Sequence, residues 1–303
     1  MSGVITFSAP YLVTESGILP EPVLSAIGEV HIGGGEPQII NYNTIGHMKL
    51  SPDGSKLAVA VSRKRIIEVF GFSNMTGGVE TLLVKIQPNS TNSVDVYFYS
   101  IGFSSNSQSL FYTKTQGDCG NNEYISELLQ FDLATHGTLK VGDFLGSLNS
   151  MQLAVNGKIY IASCNDLAGQ SHFVGVINYP SRRGEQCDFK PLDVNLLNGR
   201  NSLGLPNFIQ SYFHFPDPVL EMPNVFTPNG DRYNPFFVPL RFENALAAHL
   251  KIFNRWGKEV FSTDDVEAGW DGNGSSPGVY YWLLTYEGLN GKTGSLKGWV
   301  MMM

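Results

Sequence analysis

The sequence predicts an all-β protein in which a partial β-propeller of about four blades precedes a small antiparallel, Ig-like β-sandwich. Charged residues make up only 16% of the 303 residues, whereas glycine, proline and aromatic residues are plentiful, as in turn-rich β proteins. A hairpin pattern recurs about every 50 residues until a proline-rich segment at 214–218 interrupts it. We therefore predict a propeller region over residues 1–214 and a sandwich over residues 222–303.

The repeated unit is a hairpin, in which apolar residues alternate on both sides of a polar turn of the Pro-Asp-Gly or Asn-Gly kind. It occurs at residues 45–61, 100–112 and 151–162, with Leu50, Phe103 and Leu153 as equivalent positions. Further strands are expected at residues 67–72, 129–133 and 174–177, which would extend each hairpin towards a blade. The register predicts a buried core that includes Leu57, Phe103, Leu153 and Ile161.

The segment 7–33 has strand-like pieces and is expected to complete another blade, giving about four. Because closed four-bladed rings are uncommon, we expect an incomplete ring whose earlier blades precede Met1. A secretory leader is not visible after Met1 either, which also favours a fragment of a longer chain.

Four spaced motifs mark the last third of the chain. They are Pro223-Asn224-Val225-Phe226-Thr227-Pro228-Asn229-Gly230-Asp231, then Ile252-Phe253-Asn254-Arg255-Trp256-Gly257, then Trp270-Asp271-Gly272, and Pro277-Gly278-Val279-Tyr280-Tyr281-Trp282. Proline, asparagine and glycine in these strings favour tight turns next to short strands. In this order the motifs resemble the gliding-motility-associated C-terminal domain, the type B sorting signal of the type IX secretion system of Bacteroidetes.

This resemblance implies export across the outer membrane, with the type IX translocon and its shuttle proteins as partners and a secreted or cell-surface location. It implies that the sorting signal is formed by these motif residues: Pro223, Asn224, Phe226, Thr227, Pro228, Asn229, Gly230, Asp231, Phe253, Asn254, Arg255, Trp256, Gly257, Trp270, Asp271, Gly272, Gly278 and Tyr280. The Ser-Pro-Asp-Gly-Ser-Lys-Leu run at 51–57 similarly resembles the blade motif of WD40-like and YVTN-type propellers. One departure is the C-terminus, which ends in Met301-Met302-Met303 where the sorting domains usually end in a basic residue.

Within the sandwich, residues 250–253 and 279–282 are expected to be central strands. Alternation places Leu250 and Ile252 on one face and Phe253 on the other. Large aromatic side chains are expected to anchor the core: Phe226, Trp256, Trp270, Tyr280 and Trp282.

The sequence predicts no catalytic residue, metal site or cofactor. Gly274-Ser275-Ser276-Pro277-Gly278 matches the spacing of a nucleophile elbow, but a hairpin turn is expected because no helix pattern follows it. Asn229-Gly230-Asp231 lacks the further oxygen ligands that calcium needs, and the six histidines are scattered. The net charge of −7 argues against nucleic acid, and no apolar run is long enough for a transmembrane helix.

Cysteine pairing stays open, because Cys119, Cys164 and Cys187 are an odd set that allows one bridge, Cys164–Cys187, or three thiols. For the propeller region we favour a binding or adhesion module with a cell-surface or glycan ligand. The alternative is an extracellular enzyme, a hydrolase or dehydrogenase with a site assembled across blades, and a structural spacer is third. Convergent acidic or histidine side chains in the central channel would favour an enzyme, whereas a groove rimmed by exposed aromatics would favour glycan binding.

Overall fold

The computed structural model describes residues 7–8, 10–31, 43, 45–87, 96–116, 125–164, 171–210, 215–230 and 233–303. Contacts divide the chain into two units, Met1–His214 and Phe215–Met303, here called the N-terminal and C-terminal units. Strands dominate both. Within the described residues the longest helical stretch is a 3-10 helix at Gly184–Cys187.

The first strands are short and pair as two-stranded antiparallel ribbons. They are β1 (Phe7–Ser8) with β4 (Ser25–Ala26), and β2 (Val13–Thr14) with β3 (Gly17–Ile18). The sequence predicts a blade over residues 7–33, but the described part of that segment forms these ribbons instead of a four-stranded sheet. Pro20 and Pro22 lie between β3 and β4, and prolines lack the N–H that a longer ladder needs.

Three four-stranded antiparallel sheets, built like propeller blades, make up most of the described part of the N-terminal unit. The first blade contains β5 (Met48–Leu50), β6 (Lys56–Val61), β7 (Ile66–Phe72) and β8 (Val79–Ile86). The second contains β9 (Val96–Phe103), β10 (Ser109–Gln116), β11 (Ile125–Asp132) and β12 (Thr138–Leu145). The third contains β13 (Ser147–Leu153), β14 (Ile159–Cys164), β15 (Phe173–Ile177) and β16 (Phe189–Asn195). The predicted hairpins and third strands are thereby confirmed.

Serine side chains stabilise the hairpin turns of the first two blades. Ser51 Oγ donates to Asp53 Oδ1 (2.5 Å) and accepts from the Lys56 N–H (3.0 Å). In the second blade, Ser104 Oγ donates to Asn106 Oδ1 in the same way (2.7 Å). A serine followed two residues later by Asp or Asn thus supplies acceptors for turn amides, which explains the repeated polar turn.

The core of the N-terminal unit lies largely between adjacent blades. Ile67 and Val69 of the first blade pack in one cluster with Ile101 and Phe103 of the second. The four predicted core residues are all buried: Leu57, Phe103, Leu153 and Ile161.

Cys164 and Cys187 are both thiols in the structure, so the bridge between them that the sequence allows is not formed. Cys164 ends β14, and the buried Cys187 Sγ donates to the carbonyl oxygen of Arg182 (2.9 Å). Cys119 lies outside the described residues.

In the described part of the C-terminal unit, seven strands form two sheets. They are β17 (Val219–Glu221), β18 (Val225–Phe226), β19 (Arg241–Glu243), β20 (Ala245–Phe253), β21 (Glu259–Thr263), β22 (Gly278–Gly288) and β23 (Thr293–Met302). β17 pairs with β19, and the larger sheet has the order β18-β23-β22-β20-β21. One detail departs from the antiparallel expectation, since β18 and β23 run parallel. Parallel neighbours need a long connection, and here almost the whole unit separates the two strands.

Candidate functional site

The sorting-motif residues occupy two kinds of place in the C-terminal unit. Some are buried in its core: Phe226, Trp270, Gly272 and Tyr280. Others lie in turns or on strand ends with partial or full exposure: Pro223, Asn224, Thr227, Pro228, Asn229, Gly230, Phe253, Asn254, Arg255, Trp256, Gly257, Asp271 and Gly278. Asp231 lies outside the described residues. The motifs therefore combine a packing core with turns that surround it.

Trp270 is the centre of the buried set. Its ring lies 5.2 Å from that of Phe226 and 4.9 Å, edge on, from that of Tyr280, between ring centroids. The Tyr280 hydroxyl donates to the carbonyl oxygen of Ser276 (2.7 Å), which satisfies its polar end. Three motifs far apart in sequence thus meet in one aromatic cluster, as predicted for these three anchors.

The last residues of the chain complete this core. Met301 N–H donates to Asn224 O (2.9 Å), and Met303 N–H donates to Phe226 O (3.2 Å). These bonds belong to the hydrogen-bond ladder that joins β18, in the first motif, to β23. Gly272 has φ +74, and a Cβ there would lie 2.6 Å from Sδ of the buried Met302. From the sequence, the terminal methionines look only like a difference from the usual basic C-terminus, and this packing is not predicted. The alternation of buried and less buried residues along β23 nevertheless continues through Met301 and Met302.

The turn of the first motif is held by main-chain and side-chain bonds. Thr227 N–H donates to Asn234 O (2.9 Å), and Asn229 N–H donates to Thr227 O (2.8 Å). Gly230 has φ +84, a left-handed conformation that glycine tolerates well.

The turn of the second motif corrects one prediction. Asn254 Oδ1 accepts from the N–H groups of Trp256 (3.0 Å) and Lys258 (3.1 Å), and Gly257 has φ +78. This Asx turn places Trp256 at its tip, 83% exposed, so its assignment as a core anchor is wrong. Trp282, the fifth predicted anchor, packs partly buried against the core.

A groove of about 440 Å³ opens beside these motifs. It brings the first and third motifs together with the chain end, and its lining is Pro228, Asp271, Gly272, Asn273, Gly274, Ser275, Pro277, Met302 and Met303. A turn closed by the bond from Ser275 N–H to Gly272 O (3.0 Å) precedes β22, and a strand follows Ser276 where a nucleophile elbow needs a helix.

In the N-terminal unit, the buried amine of Lys49 links β5 of the first blade to β13 of the third blade. Lys49 Nζ donates to Gln152 Oε1 (3.0 Å) and Asn207 Oδ1 (2.8 Å). Burial lowers the pKa of Lys49 to about 8, and burial followed by the Lys49 charge lowers the pKa of His47 to about 4. The side-chain amide of Gln210 donates to Leu50 O of the first blade (3.2 Å) and accepts from the Leu153 N–H of the third blade (3.3 Å). No motif marked these residues, because they belong to ordinary strands and a loop.

An apolar pocket of about 420 Å³ adjoins this amine. Its walls come from the β13–β14 hairpin and a later loop, namely Gln152, Leu153, Ala154, Val155, Tyr160, Leu205, Pro206 and Phe208. Val155 is 70% exposed and Phe208 55% exposed, so the pocket has an apolar, open rim. Gln152 contributes to both the pocket and the Lys49 cluster.

Within the described ranges, no group of three or more histidine, cysteine or acidic side chains could hold a metal ion. The same part of the chain contains no helix with the length and apolar character needed to cross a membrane.

The fold and the motif geometry define an all-β protein with propeller-like blades followed by a compact, motif-bearing β unit. Residues 220–302 match the CHU_C type IX secretion signal domain. The C-terminal unit is therefore a type IX secretion signal domain, which directs the chain to the cell surface or the medium. No curated protein sequence is significantly similar to the chain.

Solved structures share the strand arrangement only loosely. The periplasmic gluconolactonase PpgL of Pseudomonas aeruginosa is 12% identical, with 66% of this chain and 52% of that one covered and a TM-score of 0.38. PorZ, a surface component of the type IX secretion system of Porphyromonas gingivalis, is 11% identical, with 98% and 45% covered and a TM-score of 0.34. A protein from Lactobacillus plantarum is 12% identical, with 97% and 78% covered and a TM-score of 0.33. The chain spans about half the length of the first two, and such low TM-scores carry no functional argument.

Proposed function

We propose that this chain is a cell-surface binding protein, in which the C-terminal unit is the export address and the N-terminal unit holds a ligand. The observation that carries the binding role is the open apolar pocket beside Lys49. Pockets with mostly apolar walls and a few polar groups are the usual form of small-ligand sites.

The pocket chemistry favours a ligand with a flat apolar face. Phe208 and Tyr160 both line it, and aromatic rings pack well against the apolar face of a sugar or another ring. Gln152 supplies a polar group at the same wall. A groove with an exposed aromatic rim is the feature that favours a glycan ligand.

A catalytic role has less support from the described residues. Around Lys49 the bonded groups are the amides of Gln152 and Asn207, which neither accept nor release protons at physiological pH. Among the described residues, no acidic side chain or histidine forms a hydrogen bond with Lys49 Nζ. The acid–base pair that a hydrolase needs is therefore not formed by hydrogen bonds at this amine. We therefore propose binding in preference to hydrolase or dehydrogenase activity.

The binding role can be tested with anilinonaphthalene sulfonate, a fluorescent aromatic anion suited to an apolar pocket next to an amine. Saturable binding is expected to weaken at least about tenfold in Phe208→Ala, because the ring supplies much of the contact area. Met75→Ala, at a 95% exposed site outside the pocket lining, is the matched control and should bind as the unmodified protein does. Equal affinity of all three proteins would contradict the proposal.

The address can be tested separately by fusing the chain to a periplasmic leader in a cell that has the type IX system. Replacing Asn229 and Gly230 with valines should hold the protein in the periplasm, because β-branched side chains disfavour the φ of +84 at Gly230. Gly291→Val makes a comparable change at φ +72 in the β22–β23 turn, outside the four motifs, and should leave export intact. Export of the double-valine protein at the unmodified level would argue against these turn residues as part of the signal.

A further inference from the structure

The outer face of the large sheet in the C-terminal unit carries an exposed aromatic row. Strand register places Phe253 opposite Tyr281 and Tyr281 opposite Trp299, so the three side chains form one line across β20, β22 and β23. Tyr281 is 52% and Trp299 51% exposed. Packing within the unit therefore leaves about half of each of these two large side chains open to solvent.

Apolar residues extend the row on one side. Val279 and Met301 lie opposite each other, two residues from Tyr281 and Trp299 along their strands and therefore on the same face. Met301 is in turn paired with Val225 of β18. Trp256 projects from the turn that follows Phe253 and is almost fully exposed. Contiguous exposed apolar surface of this kind marks an interaction site more often than isolated exposed residues do.

Basic residues border the row on both sides. Lys251 and Lys297 lie in the adjacent register row, on either side of Leu283, and Arg255 and Lys258 lie in the turn after Phe253. These four are more than half of the seven basic residues in 222–303. The acidic residue in register with Phe253 is Glu259, and it is bound to Lys251 (3.0 Å).

The four basic residues outnumber the two acidic residues beside them, Glu259 and Asp264, although the molecule has a net charge of −7. In the described ranges neither Lys258 nor Lys297 has an ion-pair partner. Basic side chains grouped around an apolar centre select a partner with the reverse arrangement, and they speed its approach.

We propose that this outer face, centred on Phe253, Tyr281 and Trp299, is the docking surface for an acidic protein partner with an apolar centre within the secretion machinery. The inference rests on the proposed use of the C-terminal unit as the export address. It adds the side of the unit that is contacted and the chemistry of the contact. The buried motif residues then shape the unit, while this face binds.

The test uses the full chain behind a periplasmic leader in cells that carry the type IX system. The double variant Tyr281→Ser/Trp299→Ser should lower the exported fraction at least about tenfold, since exposed aromatic anchors dominate many interfaces. Lys297→Glu should lower it about threefold through charge repulsion. The control is Thr285→Val/Ser295→Ala, a register pair on the same face of the same two strands, which should be exported normally.

The outcomes distinguish failure of the export address from failure of the docking surface. If the unmodified chain is not exported, the proposed address fails. If it is exported, and a double variant with native near-ultraviolet circular dichroism is exported equally well, the docking surface is refuted. Should the double variant misfold, normal export of Lys297→Glu would refute it instead. Unchanged export together with lost flotation on phosphatidylglycerol vesicles would assign the face to lipid and overturn the protein partner.

Discussion

The two units use their sheets differently. In the third blade, every residue of β13 is buried, and in the first blade five of the six residues of β6 are. In the C-terminal unit, β20 and β23 alternate between more and less buried positions along most of their length. In β6, Ala58 and Ala60 pack with the second blade, whereas Leu57 and Val59 pack in a cluster that Ile27 also contacts, so both faces of this strand are covered. The large C-terminal sheet instead has one packed and one open face. The comparison indicates that substitutions in blade strands act mainly on stability and that the open face is free for recognition.

The largest expected effect is at the end of β13. Leu153→Ala should lower the free energy of unfolding of the N-terminal unit by about 2–5 kcal/mol, because it leaves a cavity at a fully buried site. Val155→Ala, two residues later and 70% exposed, should cost less than about 0.5 kcal/mol. Urea unfolding followed by far-ultraviolet circular dichroism measures both, and equal costs would break the contrast between enclosed and open positions.

A smaller effect should appear in the C-terminal unit at two glycines with similar φ. Gly272→Ala combines left-handed strain with a Cβ 2.6 Å from Met302 Sδ and should cost about 2–3 kcal/mol. Gly257→Ala has φ +78 but open space around it, so about 1 kcal/mol of strain is expected. Tryptophan fluorescence reports on this unit, because all four tryptophans follow residue 255. If both variants melt alike, the chain end does not pack on the third motif in solution.

The smallest effect concerns the N-terminal unit in acid. Hydrogen bonds from Lys64 and then Lys85 hold the pKa of Glu29 at about 2, below its usual value of 4.5. A lowered folded-state pKa stabilises the protein above pH 4.5, and this contribution is lost as the pH falls towards 2. Glu29→Gln should therefore flatten the stability–pH curve between those values, by less than about 1 kcal/mol because the pair is partly exposed. An unchanged curve would show that these ion pairs do not form.

The sequence predicted the hairpins and the alternation at Leu250, Ile252 and Phe253, because period-two patterns and turn residues are local signals. It could not predict that Ser147, Asn149 and Ser150 in β13 are buried. Polar strands look exposed unless their partners are known, and one of these, Asn149, accepts from Ser147 Oγ (3.0 Å).

In the motif region the buried aromatic trio was predictable from size and spacing, but Trp256 was not. Its size favours a core position, and only the Asx turn at Asn254 shows that it points outwards. The pocket and Lys49 depend on residues more than 100 positions apart, such as Lys49 and Gln152, which no local pattern connects.

The parallel pairing of β18 with β23 has a consequence for synthesis. Because Met301 and Met302 are the partners of β18 and Met302 is also buried, β18 can join the edge of the large sheet only after these two residues have been synthesised. A product that stops before Met301 would carry all four motifs but would lack this strand pairing. The folded arrangement of the signal domain can therefore form only after nearly all of residues 220–302 have been synthesised.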